Sequence, residues 1–134
     1  MNLTTHHESL SPAFEKFHVQ GLPFAASFNH FKEPDTGDPH DHPFGFTTYI
    51  LKGCYEEKVY NTKGEFYTQT HASGTCHYVS ANAIHQITKL PEGECYTLMI
   101  PEPKIRESRF WRFENGKAYS RRWNEEEFKL YEIK

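Results

Sequence analysis

The chain has 134 residues, and 16% of them are aromatic, including 11 Phe and 8 Tyr; the formal net charge is −3. That length suits one domain with a single core, and a slightly acidic chain with no basic face excludes the electrostatic footprint of a nucleic-acid or anionic-membrane binder. Three cysteines (Cys54, Cys76 and Cys95) without a C-x-x-C spacing argue against a disulfide framework and a thiolate zinc site; Cys54 and Cys76 are most economically core residues of a small β fold.

The opening stretch MNLTTHHESLSPAF has neither a basic n-region nor an apolar h-region, and no apolar run reaches the length of a membrane span. A cytoplasmic protein is expected. Ser11-Pro12 predicts a short helix, with Ser11 as N-cap and Pro12 at the first helical position. Residues 1–21 are read as a tail with that helix, and 22–134 as one β domain. From Leu22 the period changes to two, placing Phe24, Ala26, Phe28 and His30 on one face and Ala25, Ser27 and Asn29 on the other. A polar loop, KEPDTGDP, leads to His40-Asp41-His42 and then to FTTYILKGCYEEKVY, where Lys52-Gly53 predicts a hairpin turn.

Further turns are expected at Thr62-Lys63-Gly64, Ser73-Gly74 and Pro91-Glu92-Gly93, separating the runs EFYTQTH, TCHYV, IHQIT and ECYTLMI. Asn115-Gly116 inside SRFWRFENGKAYSRRW is the strongest hairpin signal in the chain. The closing NEEEFKLYEIK reads as a helix, with Asn124 as N-cap and Glu127 as its capping-box partner. Eight to ten short strands at this spacing predict an all-β sandwich or barrel with a small helix at each end.

His40 and His42 are the chemically informative pair. Residues i and i+2 of an extended segment share a face, so H-x-H points two imidazoles the same way. A metal centre needs three or four such ligands converging from different elements. His85, at a similar loop-to-strand transition in SGTCHYVSANAIHQI, is the third candidate.

Between Asp38 and Leu98 the chain resembles the cupin superfamily of small jelly-roll barrels. His40, His42 and Gly53 stand where the first cupin motif has H-x-H and its closing glycine. Gly74 and His85 match the second motif, with Ser80 and Asn82 where Pro and Gly are usual and Lys89 in the place of the final Asn. The stretch HDHPFGFTTYILKGCYEE and the late Trp-rich hairpin are similar to those of small single-domain bacterial and phage cupin-like proteins. The resemblance implies a cupin-type jelly-roll and one divalent transition metal ion (Fe, Mn, Ni or Zn) on His40, His42 and His85.

The glutamate of the first motif is missing, because Gly45, Phe46 and Thr47 occupy its neighbourhood. Either the site is three-histidine, or Glu57 compensates. Glu57 shares the parity of Tyr55 and Val59 and should face the interior, where a carboxylate is costly unless paired or bound to a cation.

Five residues are candidates for the cavity wall: His30, Tyr49, Tyr55, His77 and Tyr96, with His77 weighed as an outer support of a metal ligand. His71 is expected to be solvated in a turn, and the terminal Arg and Trp residues to close a barrel mouth or meet a second subunit. The resemblance implies a small metal-dependent enzyme of the Fe(II) dioxygenase type acting on a small molecule, for which a three-histidine site would leave three positions of an octahedral ion open. The alternatives are a non-catalytic ligand-binding or metal-stapled module, and a cupin isomerase. Neither nucleic acid nor membrane is an expected partner, and a homodimer is.

Overall fold

The computed structural model describes residues 2–132. It contains eleven strands: β1 (Thr4–Ser11), β2 (Phe14–Gln20), β3 (Ala26–Phe31), β4 (Phe46–Tyr60), β5 (Phe66–Ala72), β6 (Cys76–Val79), β7 (Ile84–Lys89), β8 (Cys95–Pro101), β9 (Arg109–Glu114), β10 (Lys117–Arg122) and β11 (Lys129–Leu130). All paired strands are antiparallel. The main path runs β1-β2-β3-β8-β4-β5 and does not close on itself. β6 and β7 also pair with β4, and β11-β10-β9 forms a second, three-stranded sheet.

Neither expected helix forms among the described residues. Ser11-Pro12 is the tip of the β1–β2 hairpin, where the Ser11 hydroxyl accepts from the Ala13 N–H at 3.1 Å. The cap chemistry is there, but Phe14 and Phe17 follow as strand residues paired with Phe31 and Phe28. The segment before residue 22 is therefore part of the main sheet rather than a tail. At the other end, residues 123–128 turn and β11 pairs with β10. The last two residues of the expected closing helix, Ile133 and Lys134, lie outside the described residues.

The second correction concerns Lys52-Gly53. The chain does not reverse there; β4 continues for 15 residues. Its first half pairs with β8 and β6, and its second half with β5 and β7. The register slips between Ile50 and Lys52, and Gly53 sits at φ 79°. An extra residue in one strand bends it and flips the side-chain parity beyond it. Phe46, Thr48 and Ile50 face inward before the bend, and Tyr55 and Glu57 after it. The turns at residues 61–65, 72–75 and 90–93 lie where the sequence expects them, and Asn115 and Gly116 adopt the positive φ values (52° and 73°) of a tight hairpin.

Three small clusters make the core. Ile50, Tyr55, Ile87 and Cys95 pack at the bend; Phe46, Val79 and Met99 under the first half of β4; and Ile84, Trp111 and Ala118 beneath the β9–β10 hairpin. Of the cysteines, Cys95 is fully buried, Cys54 is intermediate and Cys76 is exposed, so Cys76 is not a core residue.

Gly53 meets two constraints at once: a left-handed φ, and a Cβ position that would overlap the Glu94 carbonyl oxygen of β8. Gly53→Ala is expected to destabilise the fold by about 2 kcal/mol or more. Urea unfolding followed by tryptophan fluorescence should show a lowered midpoint; an unchanged midpoint would mean that the bend is not constrained as described.

Candidate metal centre

The histidine pair lies on a short extended segment laid between β7 and β9. The His40 N–H donates to the His85 carbonyl at 3.0 Å, and the His85 N–H donates back to the His40 carbonyl at 2.9 Å. On the other flank the Asp41 N–H donates to the Arg109 carbonyl at 3.0 Å, and the Trp111 N–H to the Pro39 carbonyl at 2.8 Å. The His42 N–H reaches the Ala81 carbonyl at 3.0 Å. With its backbone tied on both sides, the segment sends His40 and His42 to one face and Asp41 to the other.

Asp41 fixes this arrangement. It is 2% exposed and accepts three hydrogen bonds: from the Arg109 N–H at 2.6 Å, Arg106 Nη2 at 2.9 Å and Trp111 Nε1 at 3.1 Å. Burial pushes its pKa up, while these donors pull against that push. One carboxylate thereby ties the histidine segment to β9 and to the loop before it. The two-residue alternation by itself places Asp41 on the face away from its two neighbours and gives it no role. A carboxylate between two metal-ligand candidates, with Arg and Trp downstream, was the available signal.

On the opposite face, His40, His42 and His85 converge. One ring nitrogen from each lies within 4.8 Å of the others. The His42 and His85 Nε2 atoms are 3.1 Å apart. The three rings stand at 70° to 74° to one another, with centroids 4.6–5.2 Å apart. Burial, reinforced by the neighbouring His85, lowers the His40 pKa to about 3, and burial lowers that of His42 well below the usual imidazole value. Both rings are therefore neutral at pH 7, the form a metal ion requires.

The donor set fits a transition ion. Two nitrogens that each bind one ion at about 2.1 Å stand about 3.0–3.4 Å apart, depending on the coordination angle. The 3.1 Å Nε2–Nε2 separation falls in that range.

The triad opens onto a cavity of about 410 Å³. Its apolar wall includes Phe14, Phe31, Phe44, Phe46, Met99 and Phe110, and its polar lining includes Asn29, Thr48 and Thr97. Asn29 Nδ2 donates to Thr97 Oγ1 at 3.2 Å. Lys16 and Arg109 bring positive charge to the lining, and Glu33 and Asp35 bring negative charge.

Of the five cavity candidates, Tyr55 lines this space. His30, Tyr49, His77 and Tyr96 are not among its lining residues. The face of β3 is the reason for His30. Beyond Ala26, the buried residues are Ser27 and Asn29 (2% and 4% exposed), while Phe28 is 42% exposed. His30 instead stacks on Tyr96, with ring centroids 4.1 Å apart, and its Nε2 lies 3.0 Å from Glu94 Oε2. Tyr49 is on the outer face, 39% exposed.

Glu57 does face inward, as its parity indicates, and is 4% exposed. The structure groups it with His71 and His77 rather than with His40 and His42. Its Oε2 lies 3.6 Å from Nδ1 of His85 and 3.5 Å from Nε2 of His71. Burial alone would raise the Glu57 pKa, but His71 and His85 hold it down at about 2. His71 is 6% exposed rather than solvated. The β4–β5 register, which pairs it with Tyr55, brings it inside.

No protein-family model matches the chain, and no curated protein matches it. Solved structures do. A variant of oxalate decarboxylase from Bacillus subtilis superposes with a TM-score of 0.60 at 20% identity, over 75% of this chain and 28% of that one. The same enzyme at pH 4.6 gives a TM-score of 0.57 at 21% identity, over 73% and 27%. Hydroxypropylphosphonic acid epoxidase from S. wedmorenis gives a TM-score of 0.60 at 9% identity, over 73% and 55%. The chain thus spans about a quarter to a half of the proteins it resembles. At these identities the likeness establishes the fold alone, a jelly-roll shared with those enzymes.

Asp41→Ala removes the shared acceptor of three donors and leaves the half-buried Arg106 without its partner. A loss of about 2–4 kcal/mol in unfolding free energy is expected, together with weaker metal retention. Denaturation of the variant beside the parent checks the first effect, and equilibrium dialysis against Zn(II) checks the second.

Proposed function

We propose that this chain is a metal-binding cupin in which His40, His42 and His85 hold one divalent transition ion at the wall of a cavity for a small molecule. The convergence of three imidazoles at ligand spacing on that wall carries the reading. Three neutral nitrogen ligands leave positions free on a six-coordinate ion, and an ion such as Fe(II), Mn(II) or Ni(II) supplies Lewis-acid or redox chemistry to a bound substrate there.

The side chains around it have definable tasks. Asp41 holds the ligand segment in place, the phenylalanine wall excludes water, and Asn29, Thr48 and Thr97 offer hydrogen bonds that orient a polar ligand. Charges of both signs line the space, so net charge does not select the substrate. Among oxidoreductase reactions a dioxygenase matches the neutral triad best. Kinship with small bacterial and phage cupin-like proteins is part of the same proposal, supported by the late hairpin that buries Trp111 against Asp41. Three free thiols suit a reducing, cytoplasmic setting.

The second reading, a binding module without turnover, shares the metal and differs in the outcome of assays. Protein purified without chelator should carry close to one ion at this site, lost in His40→Ala/His42→Ala, as read by plasma mass spectrometry. Oxygen uptake with small thiols or diols by the iron-loaded protein would establish the dioxygenase. Retained metal without uptake, in the presence of bound ligand, would favour the module. A parent protein unable to bind metal at His40, His42 and His85 even after reconstitution would overturn both.

The homodimer belongs here as well. Phe17, Phe28, Leu98 and Tyr49 follow one another across the outer face of the main sheet by register, and Phe28, Tyr49 and Leu51 are 42%, 39% and 50% exposed. An apolar row of this kind suits a second copy of the same chain. Sedimentation equilibrium should give twice the chain mass for the parent and a monomer for Phe28→Glu/Tyr49→Glu; a monomeric parent would refute the dimer.

A further inference from the structure

Behind His85, away from the cavity, lies a second set of ligand-type side chains. Glu57 on β4, His71 on β5 and His77 on β6 each offer one ligand atom, and these atoms lie within 4.8 Å of one another. None of the three lines the cavity.

Their surroundings do not satisfy them. Glu57 is 4% and His71 is 6% exposed. Glu57 Oε2, His71 Nε2 and His77 Nδ1 are all buried, and none has a hydrogen-bond partner. Glu57 Oε2 and His71 Nε2 stand 3.5 Å apart, too far for a good hydrogen bond. A buried carboxylate oxygen without a donor is expensive, and so is an unpartnered imidazole nitrogen. The two imidazoles stack face to face, with centroids 3.6 Å apart and planes at 12°, so their edges do not serve each other.

The remaining nitrogen of His77 is already engaged: its Nε2 lies 2.8 Å from the Tyr55 hydroxyl. With the proton on Nε2 and donated to Tyr55, Nδ1 presents its lone pair inward. An outer partner that fixes the tautomer is the usual support of a metal-binding histidine.

We propose that Glu57, His71 and His77 form a second metal site, structural in role, that takes a zinc-like divalent ion. Two imidazoles and one carboxylate are a donor set that Zn(II) accepts, and a single cation satisfies all three unpartnered atoms together. Its position gives it a structural task. His77 pairs through its backbone with Thr48, before the bend in β4, while His71 pairs with Tyr55, beyond it. The ion would thus staple the two halves of β4, which pair with different strands on either side of the bend, through the β5–β6 turn. His85 links the two sites, because its Nδ1 lies 3.6 Å from Glu57 Oε2 and its Nε2 faces His42.

The test is metal stoichiometry on the full chain reconstituted with Zn(II), and in parallel with Co(II) for visible spectroscopy. The parent should bind two ions. His40→Ala/His42→Ala leaves the new site untouched and should retain one, with Co(II) bands of a low-coordinate nitrogen and oxygen site. Glu57→Gln, nearly isosteric, should lose that ion, and chelation should lower the melting temperature of the His40→Ala/His42→Ala protein.

A parent that binds one ion, absent from His40→Ala/His42→Ala and unaffected by Glu57→Gln, would overturn the second site and leave the cavity ion standing. One ion that persists in His40→Ala/His42→Ala and is lost in Glu57→Gln would support the second site while refuting the cavity ion. A parent that binds neither Zn(II) nor Co(II) would overturn both.

Discussion

The arrangement of the candidate centre depends on one buried carboxylate. Asp41 gathers a backbone N–H, a guanidinium and an indole N–H from the loop and strand that follow residue 105. These bonds hold a loop segment as rigidly as a strand, because its own backbone pairs with β7 on one side and β9 on the other. The alternation of an extended chain then decides the rest. If Asp41 points into its three donors, His40 and His42 must point the opposite way, toward His85. Isolated, such a carboxylate would be costly to bury; with three donors it fixes a geometry rather than merely adding stability.

A second constraint acts at the bend of β4. The slipped register near Lys52 and the left-handed Gly53 flip the inward parity of one long strand. Before the bend β4 contributes Phe46 and Thr48 to the cavity. After it, the strand turns Tyr55 and Glu57 inward. The same strand thus builds the cavity wall and the ligand group behind His85, and Tyr55 belongs to both by lining the cavity and meeting His77.

The legible parts of the sequence were those set by short-range geometry. H-x-H needs only the two-residue period of an extended segment, and Asn115-Gly116 needs only the φ values of a tight turn. The helix at Ser11-Pro12 failed because a cap signal is local, while pairing with β3 across Phe14 and Phe17 is tertiary and decided the outcome. The inward face of β3 was misassigned for a different reason. Apolar-in alternation assumes a dry core, whereas Ser27 and Asn29 face a polar interior beside Thr97. His71 looked like a turn residue because its burial comes from cross-strand register with Tyr55, and register is not written in any one segment. Glu57 was legible as an inward carboxylate but not in its company, since that needs both β5 and β6.

The central claim is that His40, His42 and His85 are ligands of one ion. The most direct measurement is anomalous diffraction from crystals of the full chain grown with Mn(II) or Zn(II), collected on both sides of the metal absorption edge. The expected result is an anomalous peak about 2.1 Å from one nitrogen of each of the three rings. A map without that peak, in which His42 and His85 are joined instead by a direct hydrogen bond between their Nε2 atoms, would contradict it.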